Sequence, residues 1–135
     1  MTSVVQHDGV QVAPPVADAD LPEGWLRACL ADGIVVDVQP GFACGVNNRA
    51  GDGVAQLRPM NVSKEGGIAL ADVKYVPRHE VGRDERWLRR GDVLFNNTNS
   101  PELVGKTACY DLPEPRAFSN HMTRLRCDPD ALDPR

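Results

Sequence analysis

The sequence predicts an α+β domain: a twisted, mainly antiparallel sheet carrying short helices and long polar loops. Three observations predict it. Strand-forming runs are short and end in Gly, Pro, Asn or Ser, as where Val93-Leu94-Phe95 empties into Asn96-Asn97-Thr98-Asn99-Ser100 and Pro101. Helical periodicity is scarce. Finally, 12 glycines and 11 prolines among 135 residues demand many turns. A chain of this length forms one domain, burying roughly two-thirds of its unfolded surface.

Residues 1–20, rich in Val, Ala, Asp and Pro, lack periodicity and read as a flexible leader or linker. Trp25, Ala28 and Cys29 share a face at i, i+3, i+4, so a short helix is expected from Trp25 to Ala31. Ile34 to Val38 is β-branched and bounded by Gly33 and Pro40, the pattern of a strand. Val54–Arg58 and Lys74–Val76 are further short strands, and residues 77–86 form a charged connection. The turn Arg90-Gly91-Asp92 feeds the strand at 93–95. Gly105–Tyr110 and Phe118–Cys127 read as the last two strands. Trp25, Trp87 and Phe118 are expected as core anchors.

Several functions are excluded by composition and spacing. No run of 18 apolar residues occurs, so no membrane contact is expected; no secretory signal opens the chain, and a cytoplasmic protein is the default. Cys29, Cys44, Cys109 and Cys127 form no CxxC pair, and His7, His79 and His121 lack ligand spacing. No metal and no cofactor are expected, and the cysteines read as reduced, mostly buried side chains. Gly105-Lys106-Thr107 ends like a phosphate-binding loop, but Ser100 stands where that motif needs Gly. Neither Ser100 nor Ser119 sits in a G-x-S-x-G elbow. No glycine-rich loop for S-adenosylmethionine is visible. No catalysis is expected.

The order of several segments resembles the target recognition domain of type I restriction–modification specificity subunits. The segments are Leu21-Pro22-Glu23-Gly24-Trp25, the Pro40-Gly41-Phe42 turn, Gln56 to Val62, and Gly66-Gly67-Ile68. They continue with Gly91-Asp92-Val93-Leu94-Phe95 and its Asn-rich loop, Leu103 to Lys106, Phe118 to His121, and Leu125-Arg126. The likeness covers residues 21–133. It implies sequence-specific recognition of double-stranded DNA, directing methyltransferase and restriction subunits to half of a split site. Such subunits carry two recognition domains joined by long helices. Residues 21–133 therefore read as a single domain, complete or C-terminally truncated, with the partner contacts in regions outside it.

Base reading needs bidentate partners: Arg or Lys for guanine, Asn or Gln for adenine, Ser or Thr for either. Three loops supply them. The first holds Asn47, Asn48 and Arg49. The second runs from Asn61 to Lys64. The third holds Asn96, Asn97, Thr98 and Asn99, expected to be flanked by Arg116, Asn120 and His121. Lys106, Arg89 and Arg90 suit phosphates. Charge tempers this picture. The net charge is −4, with residues 1–60 holding three arginines against seven acids and residues 61–135 holding twelve of each sign. A broad phosphate-binding surface is excluded, and a partner would supply much of the grip. Two alternatives stay open: a remnant that reads nothing, and a small β-fold hydrolase using Ser100 or Cys44.

Overall fold

The structure, a computed structural model, describes residues 20–30, 32–98 and 100–135. The leader expected over residues 1–20 lies outside them except for Asp20. In chain order the elements are β1 (Val35–Pro40), β2 (Val54–Leu57), β3 (Lys74–Val76), α1 (Arg78–Val81), β4 (Trp87–Leu88), β5 (Val93–Asn96), β6 (Thr107–Cys109), β7 (Arg116–Phe118) and β8 (Met122–Cys127). Single 3-10 turns occupy Pro59–Asn61 and Asp84–Arg86. The expected α+β class is present, but with two four-stranded sheets, ordered β1-β8-β5-β6 and β3-β2-β7-β4. Every pairing is antiparallel except β2 with β7.

Alternation along the second sheet explains its layers. Leu57, Leu88 and Phe118 face the first sheet, where Leu94, Ala108, Tyr110 and Met122 complete one core with Val62. The opposite face carries Val54 and Ala117, which pack with Val76 and with Val81 of α1. Side chains of Leu or Phe size buried in this way contribute roughly 1.5–3 kcal/mol each.

Two arginine ion pairs, each with one buried partner, lock the first sheet. Arg124, 0% exposed, donates to the carbonyls of Glu85 (2.8 Å) and Trp87 (2.9 Å) and forms an ion pair with Asp37. It joins β8 to β1 and to the entry of β4. Asp92, 1% exposed, receives the Arg126 fork at 2.7 and 2.9 Å and accepts the Arg89 N–H at 2.7 Å. The Gly-Asp motif therefore places a carboxylate where it holds both its own turn and the last strand. Gly91 turns the chain at φ +91°.

Gly41 is required by space. A Cβ there would lie 2.1 Å from the Ser119 carbonyl oxygen and 2.5 Å from that of Phe118. The close approach lets Gly41 N–H reach the Met122 carbonyl at 3.0 Å, so the chain leaving β1 lies against the β7–β8 turn.

Five expectations are corrected. Residues 25–30 form no helix: Trp25 is 69% exposed and Leu26 87%, so the apolar face has no core to cover. A single turn's periodicity without tertiary packing does not sustain a helix. For the same reason Trp25 is no core anchor, whereas Phe118 is buried and Trp87 half-buried beneath Arg78. The expected strand from Phe118 to Cys127 is broken at Ser119–His121, where the Met122 N–H turns back to the Ser119 carbonyl at 3.0 Å. The charged connection at 77–86 contains α1 and a 3-10 turn. Finally, the four cysteines are free, but Cys29 is exposed and the others half-buried. Among the described residues no helix is long and apolar enough to cross a membrane.

Candidate nucleic-acid interface

The three polar loops separate into side chains that hold the fold and side chains that face outward. In the first, the Asn48 backbone bridges to Tyr75 through two 2.9 Å bonds. Its amide donates to the Asp52 carbonyl at 2.7 Å and accepts from the N–H groups of Ala50 and Asp52. Asn47 and Arg49 are exposed beside it, and Arg49 pairs with Asp72. In the second loop Asn61 is 2% exposed. It accepts the Arg58 N–H at 2.9 Å and donates to the carbonyls of Ala69 (2.8 Å) and Asp72 (3.1 Å). Lys64 projects from the turn closed by the Ser63–Gly67 bonds.

The third loop follows the same division. Asn96 is fully buried, donating to the carbonyls of Pro59 (2.9 Å) and Leu103 (3.2 Å), while its backbone pairs with Lys106 and Gly105. Asn97 is exposed, and its N–H reaches the His121 carbonyl at 3.0 Å. That bond draws the loop against the turn holding Asn120 and His121, both exposed. Thr98 is half-buried next to it, and Lys106 half-buried at the loop's end. Asn99 lies outside the described residues. The Ser100 hydroxyl donates to Glu102 at 2.7 Å, which holds that carboxyl below its ordinary range.

The amides of Asn48, Asn61 and Asn96, expected from sequence as base readers, are engaged in bonds that shape the loops. Turning outward would cost Asn61 its three side-chain bonds and Asn96 its two donated bonds, although Oδ1 of Asn96 has no partner among the described residues. Arg116, expected to flank the third loop, does not line the cavity that holds Asn120 and His121. It lies on β7, donates to the Tyr110 hydroxyl at 2.7 Å, and borders a different cavity, with Trp87 and Glu114. Sequence could not separate these from their neighbours, because Asn at a loop start serves either purpose.

A cavity of about 360 Å³ lies between residues 42–44 and the third loop and brings Thr98, Asn120 and His121 together. Gln56, Arg58, Lys74 and Ser119 share its wall, none of them singled out from sequence as a site residue. Phe42, Met60 and Leu103 add apolar surface. Arg58 reaches Asp72 at 3.5 Å, and Asp72 pairs in turn with Arg49, which links the cavity wall to the 47–49 loop through one shared carboxylate. Burial, and then the nearby Arg49 charge, lowers the Arg58 guanidinium below its ordinary pKa. The signal for Lys74 lay in the register: it stands opposite Gln56 on β3, next to the Tyr75 that bridges Asn48.

Catalytic alternatives gain no geometry. Ser100 is bonded to a carboxylate, and the Cys44 thiol donates to the Val46 carbonyl at 3.1 Å. Among the described residues no group of three or more His, Cys, Asp or Glu side chains could hold a metal ion.

No protein-family model and no curated protein matches the sequence. Solved structures do. The chain is similar to an HsdS subunit from Thermoanaerobacter tengcongensis, with 22% identity and a TM-score of 0.56 over 85% of this chain and 26% of that one. It is also similar to a chain from a structure describing complex assembly and conformational transition of the type I R-M system. There the identity is 20% and the TM-score 0.56, over 89% of this chain and 30% of that one. The chain thus spans under a third of the length of these neighbours and has the fold of a domain found in type I restriction–modification specificity subunits.

Proposed function

We propose that residues 21–133 form a domain that reads a short base sequence in double-stranded DNA. In so doing it directs methyltransferase and restriction subunits of a type I system to half of a split site. The observation that carries this reading is the Asn97–His121 bond, which gathers Asn97, Thr98, Asn120 and His121 on one outward edge beside a cationic cavity. Asn and Thr side chains are the readers of adenine and of mixed base edges. Asn47, Arg49, Lys64 and Lys106 serve as further DNA contacts, with Asn99 among the readers. The contribution is differential binding; no bond is made or broken by this chain, and no cofactor takes part. The partner subunits dock through regions outside the domain, in the cytoplasm.

The net charge of −4 fits a reader whose partners supply much of the phosphate grip. Replacement of Asn97 and Asn99 together by Ala tests the reading. Base preference should relax by about 1–3 kcal/mol per lost bidentate pair, while affinity for unrelated duplex stays within about twofold. An unchanged preference would remove the third loop from the reading surface.

A further inference from the structure

Resting on the reading above, we propose that the cavity walled by Arg58, Lys74, Ser119 and His121 is a seat for one deoxyribose-phosphate unit of the DNA backbone, fixing the register in which the neighbouring loop meets the bases. Four features converge. In a chain of net charge −4, the cavity has two cationic side chains and a histidine on its wall and no acidic one among the described residues. Lys74 forms no ion pair among the described residues, although most arginines of the domain are paired. Ser119 is 7% exposed, and its hydroxyl has no hydrogen-bond partner among the described residues; the same holds for Nε of Arg58. Buried polar groups are nearly always satisfied, so the Ser119 hydroxyl, on a residue of the cavity wall, points to an acceptor there; Oδ1 of Asn96 and Nε of Arg124, on residues outside that wall, are unpartnered as well.

The remaining lining suits the sugar. Met60 is 50% exposed and stands on the same wall as Leu103, so the ribose face has apolar contact where the phosphate has cations. A free inorganic anion would use the cations alone, leaving Met60 unused. Position is the last feature. The cavity lies beside Asn97 and Asn120, so a backbone unit held there brings the adjoining base edges to those side chains. Phosphate contacts position a protein on the duplex while base contacts specify.

The test uses the full chain and a duplex bearing its selected motif, in wild type and in Lys74→Gln, whose side chain lies on an edge strand and is not part of the core. Circular dichroism establishes that both fold alike. Lys74→Gln should lower affinity for all sequences in parallel and flatten the slope of log K against log salt by about 0.9, the loss of one phosphate contact. Single methylphosphonate linkages, which are neutral, should then identify one position that weakens wild type about fivefold and weakens Lys74→Gln clearly less. An unchanged slope, a relaxed motif in place of a uniform loss, or methylphosphonate effects equal in both proteins would overturn the seat while leaving DNA reading intact. Competition by inorganic phosphate at concentrations too low to act through ionic strength would indicate a free-anion site and also overturn it. Absence of DNA binding by folded wild type would overturn both proposals.

Discussion

At the residue scale, the division between structural and outward asparagines yields the sharpest expectations. Asn61→Ala and Asn96→Ala each strand buried carbonyls, and Asn61→Ala also strands the Arg58 N–H. Each should cost about 1–3 kcal/mol in urea denaturation, whereas Asn97→Ala should stay within about 0.5 kcal/mol. Equal effects would contradict the assignment. Asp92 is more demanding. Asp92→Ala leaves Arg126 and the Arg89 N–H without their partner and should cost about 3 kcal/mol, read as a lower denaturation midpoint. Tyr110 adds a pH dependence. Burial raises its pKa above the ordinary value of about 10, so the folded chain holds the phenolic proton more tightly than the unfolded one. Stability is full below that ordinary value and falls as pH rises through the folded pKa. Tyr110→Phe should abolish this alkaline loss while losing the bonds to Arg116 and Glu114; an identical alkaline profile in the variant would refute the cause. The residue types at the candidate site were legible in the sequence, but which of them face outward was not. Asn96 and Asn97 are adjacent and chemically identical, and the strand's two-residue alternation sends one into the core and the other to solvent.

At the element scale, the short strands at Val54, Lys74 and Val93 were legible because β-branched or aromatic runs ended in turn residues. The two-sheet arrangement was not. It depends on Phe118 ending β7 and on the turn at Ser119–His121, which lets β7 run parallel to β2 while β8 joins the other sheet. No local signal in Phe118–Cys127 marks that break, because Ser, Asn and His also occur within strands. The decisive residue is distant: Gly41 packs its bare Cα against the Phe118 and Ser119 carbonyls. Gly41→Ala is therefore expected to cost about 1–3 kcal/mol, the range for forced overpacking. The loss should appear with reduced hydrogen-exchange protection in β7 and β8 together. A variant as stable as wild type would show that the β7–β8 turn is not held by this contact. The helix expected near Trp25 failed for the converse reason: its periodicity was genuine, but no buried surface lies opposite.

At the scale of the whole molecule, two sheets and a short helix hold out one edge where loops from three parts of the chain meet. Under the proposed reading, rigid support of that kind would fix side chains before DNA arrives, so less of the binding free energy would be lost to ordering them. The net charge of −4 sets the other half of the behaviour. Without a broad basic surface, non-specific binding should be weak and specificity should survive moderate salt. The most direct measurement is selection from a random duplex library at low and moderate salt, with protein shown to be folded by circular dichroism. A DNA-reading domain should enrich one motif of about three to five base pairs, the span a few groove contacts can discriminate, and retain it at the higher salt. A folded chain that enriches no motif at either salt would contradict the claim that this domain reads sequence.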